Sequence, residues 1–266
     1  MQFLMHFGLK HPPFHKSQQV LWDNESLNQL TAKFTRLLDL PGIGVLTGDY
    51  GVGKTSALRH IQQQVQNPNC HQFIYICETG FSRTELYRLI ARALGVELSH
   101  RRSDLWYNIK HHLQTLKQQR HVLPIIIIDE AQALSAEFLD DLASFLNFQY
   151  DAEDMLTLWL VGNKALASKL KQSRFEALHS RVRIWHELQR ISKFEDFTAF
   201  IDHGFKAAGC TTRLLADSDL RLLMEATQCL PRHIYNVVTN CLEFACARNL
   251  NHISSDILEE VLESMR

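Results

Sequence analysis

The chain lacks an excess of charge of either sign. Its 266 residues carry 28 Lys and Arg against 29 Asp and Glu, for a formal net charge of −1. A near-neutral chain has no long-range field that draws it to nucleic acid or to anionic lipid. Any polyanion must therefore be bound by local groups of cations. The 45% hydrophobic share is that of an ordinary folded protein.

Disulfide and metal motifs are also missing. The six cysteines include no C-x-x-C pair, and most of them lie within apolar stretches. This pattern indicates reduced thiols in a reducing compartment. The 14 histidines, including His111 and His112, show no spacing typical of metal ligands. At this length the chain is near the limit of a single core, so one large domain or two unequal ones are expected.

Long apolar runs are absent as well. No segment approaches the roughly 18 consecutive apolar residues of a membrane-spanning helix. The N-terminus does not show the basic and then apolar pattern of a signal peptide. From these two absences we expect a cytoplasmic protein with no part in a membrane.

The chain does contain a match to the phosphate-binding loop G-x-x-x-x-G-K-[ST], at residues 48–55. Residues 43–47 are predicted to form a buried strand before the loop, and residues 56–66 a helix after it. The motif requires this strand, loop and helix context. A glycine-rich turn that matches by chance is the alternative, and the flanking elements argue against it.

The loop residues predict binding of ATP with Mg²⁺. The glycines allow several backbone N–H groups to point at one anion at a helix N-terminus. Lys54 is expected to reach the β- and γ-phosphates, and the Thr55 hydroxyl is expected to bind Mg²⁺. The predicted nucleotide-binding residues here are Gly48, Asp49, Tyr50, Gly51, Val52, Gly53, Lys54, Thr55 and Ser56.

The most apolar run in the chain, residues 125–128, ends in two carboxylates, Asp129 and Glu130. Such a run predicts a central parallel strand that is buried on both faces. Ligands of open α/β sheets lie at the carboxyl ends of the strands, so both acids are expected beside the phosphate loop. Asp129 is the predicted Mg²⁺ ligand. Glu130 is the predicted base that polarises the attacking water.

The remaining pattern predicts a doubly wound α/β domain followed by helices. Five predicted strands alternate with helical segments up to about residue 189, and the rest shows helical periodicity only. We divide the chain into an ordered N-terminal extension laid across the surface (1–24), a nucleotide-binding α/β domain (25–190) and a helical lid domain (191–266). Asn163 is expected at the tip of the strand next to that of Asp129, where its amide could orient water or touch the γ-phosphate. A turn asparagine is the alternative.

Taken together, these motifs resemble those of AAA+ ATPases, and within that class the ExeA-like and the TnsC- and MuB-like ATPases that accompany DDE transposases. The resemblance covers nearly the whole chain and includes the segments Phe7-Gly8-Leu9, Asp129-Glu130-Ala131, Asn147-Phe148-Gln149-Tyr150, Gly162-Asn163, Ser180-Arg181-Val182 and Leu230-Pro231-Arg232. It implies a P-loop AAA+ domain with a five-stranded parallel sheet and a C-terminal all-α lid bundle.

The resemblance also implies roles for three further residues. Asn163 corresponds to the sensor-1 residue, Arg181 to an arginine finger that completes a neighbouring subunit's ATP site, and Arg232 to the sensor-2 arginine that contacts nucleotide. Arg183 remains an alternative finger, because two residues along a strand point the same way. Asp49 and Tyr50 depart from the small residues or proline usual at their loop positions, which affects the details of nucleotide fit.

By resemblance, the function is ATP-dependent regulation of DNA transposition. A homo-oligomer, a ring or a helical filament, would assemble on duplex DNA, mark the target and recruit a DDE transposase, with or without an adaptor protein. Hydrolysis would then dissolve the assembly. No base-reading motif is visible, so phosphate contacts with little sequence specificity are expected. The candidate cations are Arg83, Arg101 and Arg102, for which an ordinary solvated basic loop is the alternative.

Two other functions remain open. An ExeA-type ATPase assists assembly of a secretion machine, but we expect that role to need a membrane-spanning segment and a periplasmic domain, which these 266 residues do not contain. A P-loop signalling or defence switch would use nucleotide only to change partner binding. Glu130 argues against a pure switch, because a dedicated base implies hydrolysis.

Overall fold

Two compact units make up the protein, whose computed structural model describes residues 2–16, 21–77 and 79–265. The sheet unit comprises residues 25–48 and 61–188, and the helical unit comprises residues 1–24, 49–60 and 189–266. Residues 17–20 of the predicted N-terminal extension, together with Met1 and Arg266, lie outside the described residues. The domain boundaries at 24/25 and 190/191 stay predictions.

The sheet unit is built on five parallel strands in the order β2-β3-β4-β1-β5. This confirms the predicted five-stranded parallel sheet. The strands are β1 (Ile43–Gly48), β2 (His71–Ile76), β3 (Leu123–Ile128), β4 (Thr157–Val161) and β5 (Val182–Leu188).

Helices occupy most of the remaining chain. None of the described helices is long and apolar enough to cross a membrane. Numbered along the chain, they are α1 (Gln2–His6), α2 (Glu25–Asp39), α3 (Lys54–Val65), α4 (Arg83–Leu94), α5 (Arg102–Gln114), α6 (Ala136–Phe145), α7 (Lys164–Leu170), α8 (Glu176–His179), α9 (Phe194–Ala207), α10 (Asp217–Thr227), α11 (Pro231–Ala247) and α12 (Ser255–Ser264).

Local sequence explains where α4 begins and ends. The Ser82 side chain accepts the Glu85 N–H, and the Glu85 carboxylate accepts the Ser82 N–H at 3.0 Å, so a capping box is present. Gly95 ends the helix in the left-handed conformation, with φ 74°. The next helix begins at Arg102 and runs on into a π-helical turn at Thr115–Gln119.

The first residues of the chain contribute to the core of the helical unit. Phe3, Phe7 and Leu9 are buried there among side chains from α9 to α12. A Cβ at Gly204 would overlap the Phe14 ring, so this ring lies directly on the backbone of α9. These apolar side chains turn inward, because burying them removes large hydrophobic area from water. The course of the extension across the surface stays a prediction.

Topology brings the ends of three neighbouring strands to one edge of the sheet. β4 lies between β3 and β1, and all three run parallel. Gly48 at the end of β1, Asp129 after β3 and Asn163 beyond β4 therefore lie at the same, carboxyl edge. This is the edge at which open α/β sheets bind ligands. The phosphate loop continues directly from Gly48 along the chain.

A buried histidine on β5 is expected to make the stability of the sheet unit depend on pH. His186 is 7% exposed, and the Lys33 ammonium lies 3.3 Å from its Nδ1 atom. Burial, and then the Lys33 charge, lowers the pKa of His186 below its usual 6.5. The unfolded chain therefore takes up a proton near pH 6.5 that the folded chain does not. The free energy of unfolding should fall as pH drops below about 6.5.

His186→Gln should remove this contribution. We expect a shallower loss of stability between about pH 6.5 and 5 in the variant than in the unmodified protein, measured by chemical denaturation at several pH values. His252→Gln, at an exposed histidine, is the matched control and should leave the slope unchanged. Equal slopes for the unmodified protein and His186→Gln would contradict the assignment.

Candidate functional site

The phosphate loop has the backbone conformation that its glycines permit. Gly51 has φ 77° and Gly53 has φ 106°, values that side-chain-bearing residues rarely adopt. The Lys54 side chain is 7% exposed and folds back over the loop, donating to the Asp49 carbonyl oxygen at 3.0 Å. Its ammonium lies 5.9 Å from the centre of the Tyr50 ring. The loop thus surrounds a buried cation at the start of α3.

The end of α3 that faces the loop is suited to an anion. Thr55 and Ser56 are its second and third residues, and Thr55 is exposed. The first backbone N–H groups of a helix have no partner within the helix, and the helix dipole favours negative charge there. Together with Lys54, this arrangement fits the phosphates of a nucleotide.

Arg232 lies against the phosphate loop, within the helical unit. Its backbone N–H donates to the Gly51 carbonyl oxygen at 3.4 Å. A Cβ on Gly51 would lie 2.9 Å from the Cβ of Arg232, so glycine is required for this close approach. Arg232 is the second residue of α11, and its side chain is exposed. The position is compatible with a side chain that reaches nucleotide.

Sequence analysis missed Arg190. Its Nε donates to the Asp49 carboxylate at 2.7 Å, and its Nη1 donates to Oε1 of Gln228 at 2.9 Å. The unusual acid at the second loop position thus has a basic partner in the helical unit. Asp49 was a signal in the sequence, since an acid is unusual at this loop position. Its partner is 141 positions away and has no motif of its own.

The two carboxylates after β3 have different surroundings. Asp129 is 3% exposed, and it accepts from the Tyr75 hydroxyl at 2.8 Å and from the Glu130 N–H at 2.9 Å. Glu130 is exposed and has a left-handed backbone, with φ 54°. The Thr79 hydroxyl donates to the Glu130 carbonyl oxygen at 3.1 Å. Asp129 is therefore fixed as an acceptor, whereas the Glu130 side chain extends toward solvent.

The side-chain oxygen atoms of Asp129 and Thr55 are of the kinds that bind Mg²⁺. Carboxylate and hydroxyl oxygens are its preferred ligands, and it usually takes only one or two from the protein while phosphates and water supply the others. Within residues 2–16, 21–77 and 79–265, no group of three or more His, Cys, Asp or Glu side chains could hold a metal ion. Asp129 and Thr55 remain the predicted ligands.

Asn163 caps a helix. It precedes α7, and its side-chain oxygen accepts the Ala165 N–H at 2.9 Å. This is the local role that the turn-asparagine alternative anticipated. Its position at the carboxyl edge of the sheet is also the one that a nucleotide-sensing residue requires, so the sensor role stays a prediction.

Arg181 and Arg183 line one cavity of about 240 Å³ in the sheet unit, together with apolar side chains such as Phe148 and Met155. Arg181 donates to the Ala143 carbonyl oxygen at 2.6 Å. Arg183 pairs with Asp154 at 2.7 Å. The expectation that both arginines point to one side is consistent with this shared cavity.

Two of the three predicted DNA-contacting arginines converge on one acid. Arg102 and Arg83 lie 2.9 and 3.5 Å from Oδ2 of Asp141. Arg102 also lies over the Trp106 ring, at 5.9 Å. Arg101 is exposed at the start of α5. Asp141 balances part of the positive charge, which sequence analysis did not anticipate.

A profile of the AAA domain family matches residues 37–170, which is half of the chain. The chain belongs to the AAA domain family. The matched region contains the phosphate loop, the two carboxylates after β3 and Asn163. Nucleotide-hydrolysing ATPases of the P-loop AAA+ class are therefore its relatives.

The chain is 27% identical over 259 residues to General secretion pathway protein A of Aeromonas hydrophila, covering 93% of this chain and 45% of that protein. The chain thus spans less than half the length of this relative.

Solved structures share the fold. Cdc6p from Pyrobaculum aerophilum superposes with a TM-score of 0.69 at 17% identity, over 97% of this chain and 70% of that chain. The Aeropyrum pernix ORC1 protein, solved in complex with DNA, gives a TM-score of 0.69 at 14% identity, over 93% and 66% of the two chains. These identities support a common fold and no more.

Proposed function

We propose that the protein binds ATP with Mg²⁺ at the phosphate loop and hydrolyses it. The observation that carries this proposal is the common edge of β1, β3 and β4, where Gly48, Asp129 and Asn163 end adjacent strands. Parallel α/β sheets bind their ligands at such an edge. The AAA domain match supports the same reaction.

The proposal gives each residue a role. Lys54 and the loop N–H groups hold the β- and γ-phosphates, and Arg232 adds a cation from the start of α11. Asp129 and Thr55 would hold Mg²⁺, which supplies charge neutralisation on the phosphate oxygens. Glu130 orients a water and takes its proton, and Asn163 orients the same water or the γ-phosphate.

Hydrolysis is proposed to depend on assembly. Arg181 immediately precedes β5, so it lies at the amino edge of the parallel sheet, whereas Asp129 lies at the carboxyl edge. The seven residues of β5 span roughly 20 Å. Arg181 is therefore too far from the carboxyl edge of its own sheet to stabilise charge there. A finger at this position can act only on a neighbouring subunit.

The finer proposal is ATP-dependent regulation of DNA transposition. In this proposal a homo-oligomer forms on duplex DNA, contacts its phosphates and recruits a DDE transposase. Three observations support it: the resemblance of the motifs, the fold shared with an ORC1 protein solved with DNA, and the cations of Arg83, Arg101 and Arg102 near the start of α4 and α5. Phosphate contacts by these side chains imply strong salt dependence.

A DNA co-sedimentation experiment tests this proposal. We expect sedimentation of duplex DNA with ATP, none with ADP or with Lys54→Ala, and a loss of affinity of about tenfold or more between 50 and 200 mM salt. Arg101→Ala should weaken DNA binding and make the affinity depend less steeply on salt concentration. Arg36→Ala, at an exposed arginine on α2, should change neither the affinity nor its salt dependence. Absence of DNA association at low salt with every nucleotide would overturn the DNA proposal.

One observation favours a second function, assistance in assembling a secretion machine. The chain aligns over 93% of its length with General secretion pathway protein A. The ATP site and its assembly dependence are the same in both proposals, and the partner differs. A gene for a DDE integrase beside this one would support the transposition role, and neighbouring secretion genes would support the second.

A further inference from the structure

Gln132 uses both ends of its side-chain amide. It lies in the 3₁₀ turn Ala131–Ala133, directly after the proposed catalytic base. Its Nε2 donates to Oε2 of Glu130 at 2.6 Å, and its Oε1 accepts the backbone N–H of Asn163 at 3.2 Å. One side chain thus joins the acid that follows β3 to the residue that follows β4.

The backbone around Gln132 is fixed. Lys169 on α7 donates to the carbonyl oxygens of Gln132 and Leu134, at 3.1 and 2.6 Å. Ala131 and Leu134, on either side, are buried in the core of the sheet unit. These contacts hold the turn from which the Gln132 side chain extends.

Gly162 provides an independent indication that this position of the amide is built into the fold. A Cβ at residue 162 would overlap Oε1 of Gln132. The φ angle of Gly162 is not in the left-handed region, so backbone conformation does not require glycine there. With a Cβ at residue 162 the Gln132 amide would have to move, so glycine leaves room for its present position.

We propose that Gln132 is a positioning residue that ties the Glu130 carboxylate to the backbone of Asn163. This inference rests on the proposed ATP hydrolysis by Glu130. A long, exposed glutamate side chain samples several rotamers, and only some place its carboxylate beside the attacking water. The amide of Gln132 selects one rotamer and links the base to the end of β4. Gln132 acts on the reaction only through the Glu130 carboxylate.

Gln132→Ala is expected to lower the kcat for ATP hydrolysis by about 10- to 100-fold, the range that misplacement of a catalytic group produces. The KM and the affinity for ATP should change by less than about twofold, because the tether acts on the base and not on the phosphate loop. A purely structural role would instead move thermal stability or nucleotide affinity. Gln132→Met, which keeps the volume and loses both hydrogen bonds, should behave like Gln132→Ala.

The double variant gives the sharpest test. Gly162→Ala displaces the amide and should reproduce the fall in kcat, whereas Gly162→Ala combined with Gln132→Ala should lose little more than either alone. If the falls in kcat of the two single variants multiply in the double variant, the two changes act independently and the inference is wrong. The matched control is Gln118→Ala, which breaks an exposed amide–carboxylate pair with Glu153 and should leave kcat unchanged.

The failure of the inference and that of the proposed function can be told apart. If the unmodified protein binds and hydrolyses ATP while Gln132→Ala, Gln132→Met and Gly162→Ala all keep or increase its kcat, the positioning role is wrong and the function stands. If the unmodified protein does not hydrolyse ATP at any concentration, with or without DNA, the proposed function is wrong and the positioning role falls with it.

Discussion

Glu130→Gln should abolish most ATP turnover and leave ATP bound. General base catalysis contributes about 10²- to 10⁴-fold to rate, so we expect kcat to fall within that range. The amide keeps the size and shape of the carboxylate but cannot accept a proton from water. ATP affinity, measured by equilibrium binding, should change little, because the proposal assigns the phosphates to Lys54 and the loop N–H groups.

The same variant should stay assembled. If hydrolysis dissolves the oligomer, Glu130→Gln with ATP should persist as the large species in sedimentation, whereas the unmodified protein should return to smaller species as ATP is consumed. Glu153→Gln, an identical change at a distant exposed acid that pairs with Gln118, is the control. Unchanged ATP turnover in Glu130→Gln would show that Glu130 is not the base.

Arg181→Ala should hydrolyse almost no ATP on its own. Activity should return when it is mixed with the Glu130→Gln variant. An arginine finger is worth about 10³- to 10⁵-fold in kcat. A subunit of Arg181→Ala keeps an intact ATP site but offers no finger, and Glu130→Gln offers a finger but has no base. In head-to-tail assemblies of an equal mixture, half of the intact sites face an intact finger. Turnover should therefore recover to about a quarter of the unmodified rate per subunit.

The matched control for this experiment is Arg183→Ala. It removes an exposed ion pair with Asp154, whose contribution to stability is about 0–1 kcal/mol. Arg183→Ala should keep most of the turnover if Arg181 is the finger. If Arg183→Ala is the inactive variant, and its mixture with Glu130→Gln recovers ATP turnover, the finger is Arg183. A mixture no more active than its two components would contradict action between subunits.

Short-range patterns in the sequence predicted much of the fold. The apolar run before Asp129 placed the central strand, because strand burial depends on residues within a few positions. The general rule for open sheets then placed the strand ends of Gly48 and Asp129 at one edge. Boundaries were less accurate: the helix after the loop was expected over residues 56–66 and spans Lys54–Val65.

Contacts between distant positions could not be predicted. Gln132 meets Asn163 only because the 3₁₀ turn and the end of β4 converge, and a separation of 31 residues has no periodic signal. Arg190 meets Asp49 over 141 positions. The inward packing of Phe3 and Phe7 likewise depends on helices near the other end of the chain. Such pairings are set by tertiary packing, which composition and periodicity do not encode.

The most direct test of the account is the rate of ATP hydrolysis per subunit, measured over a wide range of protein concentration with and without duplex DNA. If Arg181 serves only a neighbour's site, as proposed, the rate per subunit should rise with concentration and then level off. DNA that brings subunits together should lower the protein concentration at which the rate levels off. A rate per subunit that is constant from the most dilute sample upward, or absent throughout, would contradict hydrolysis that depends on assembly.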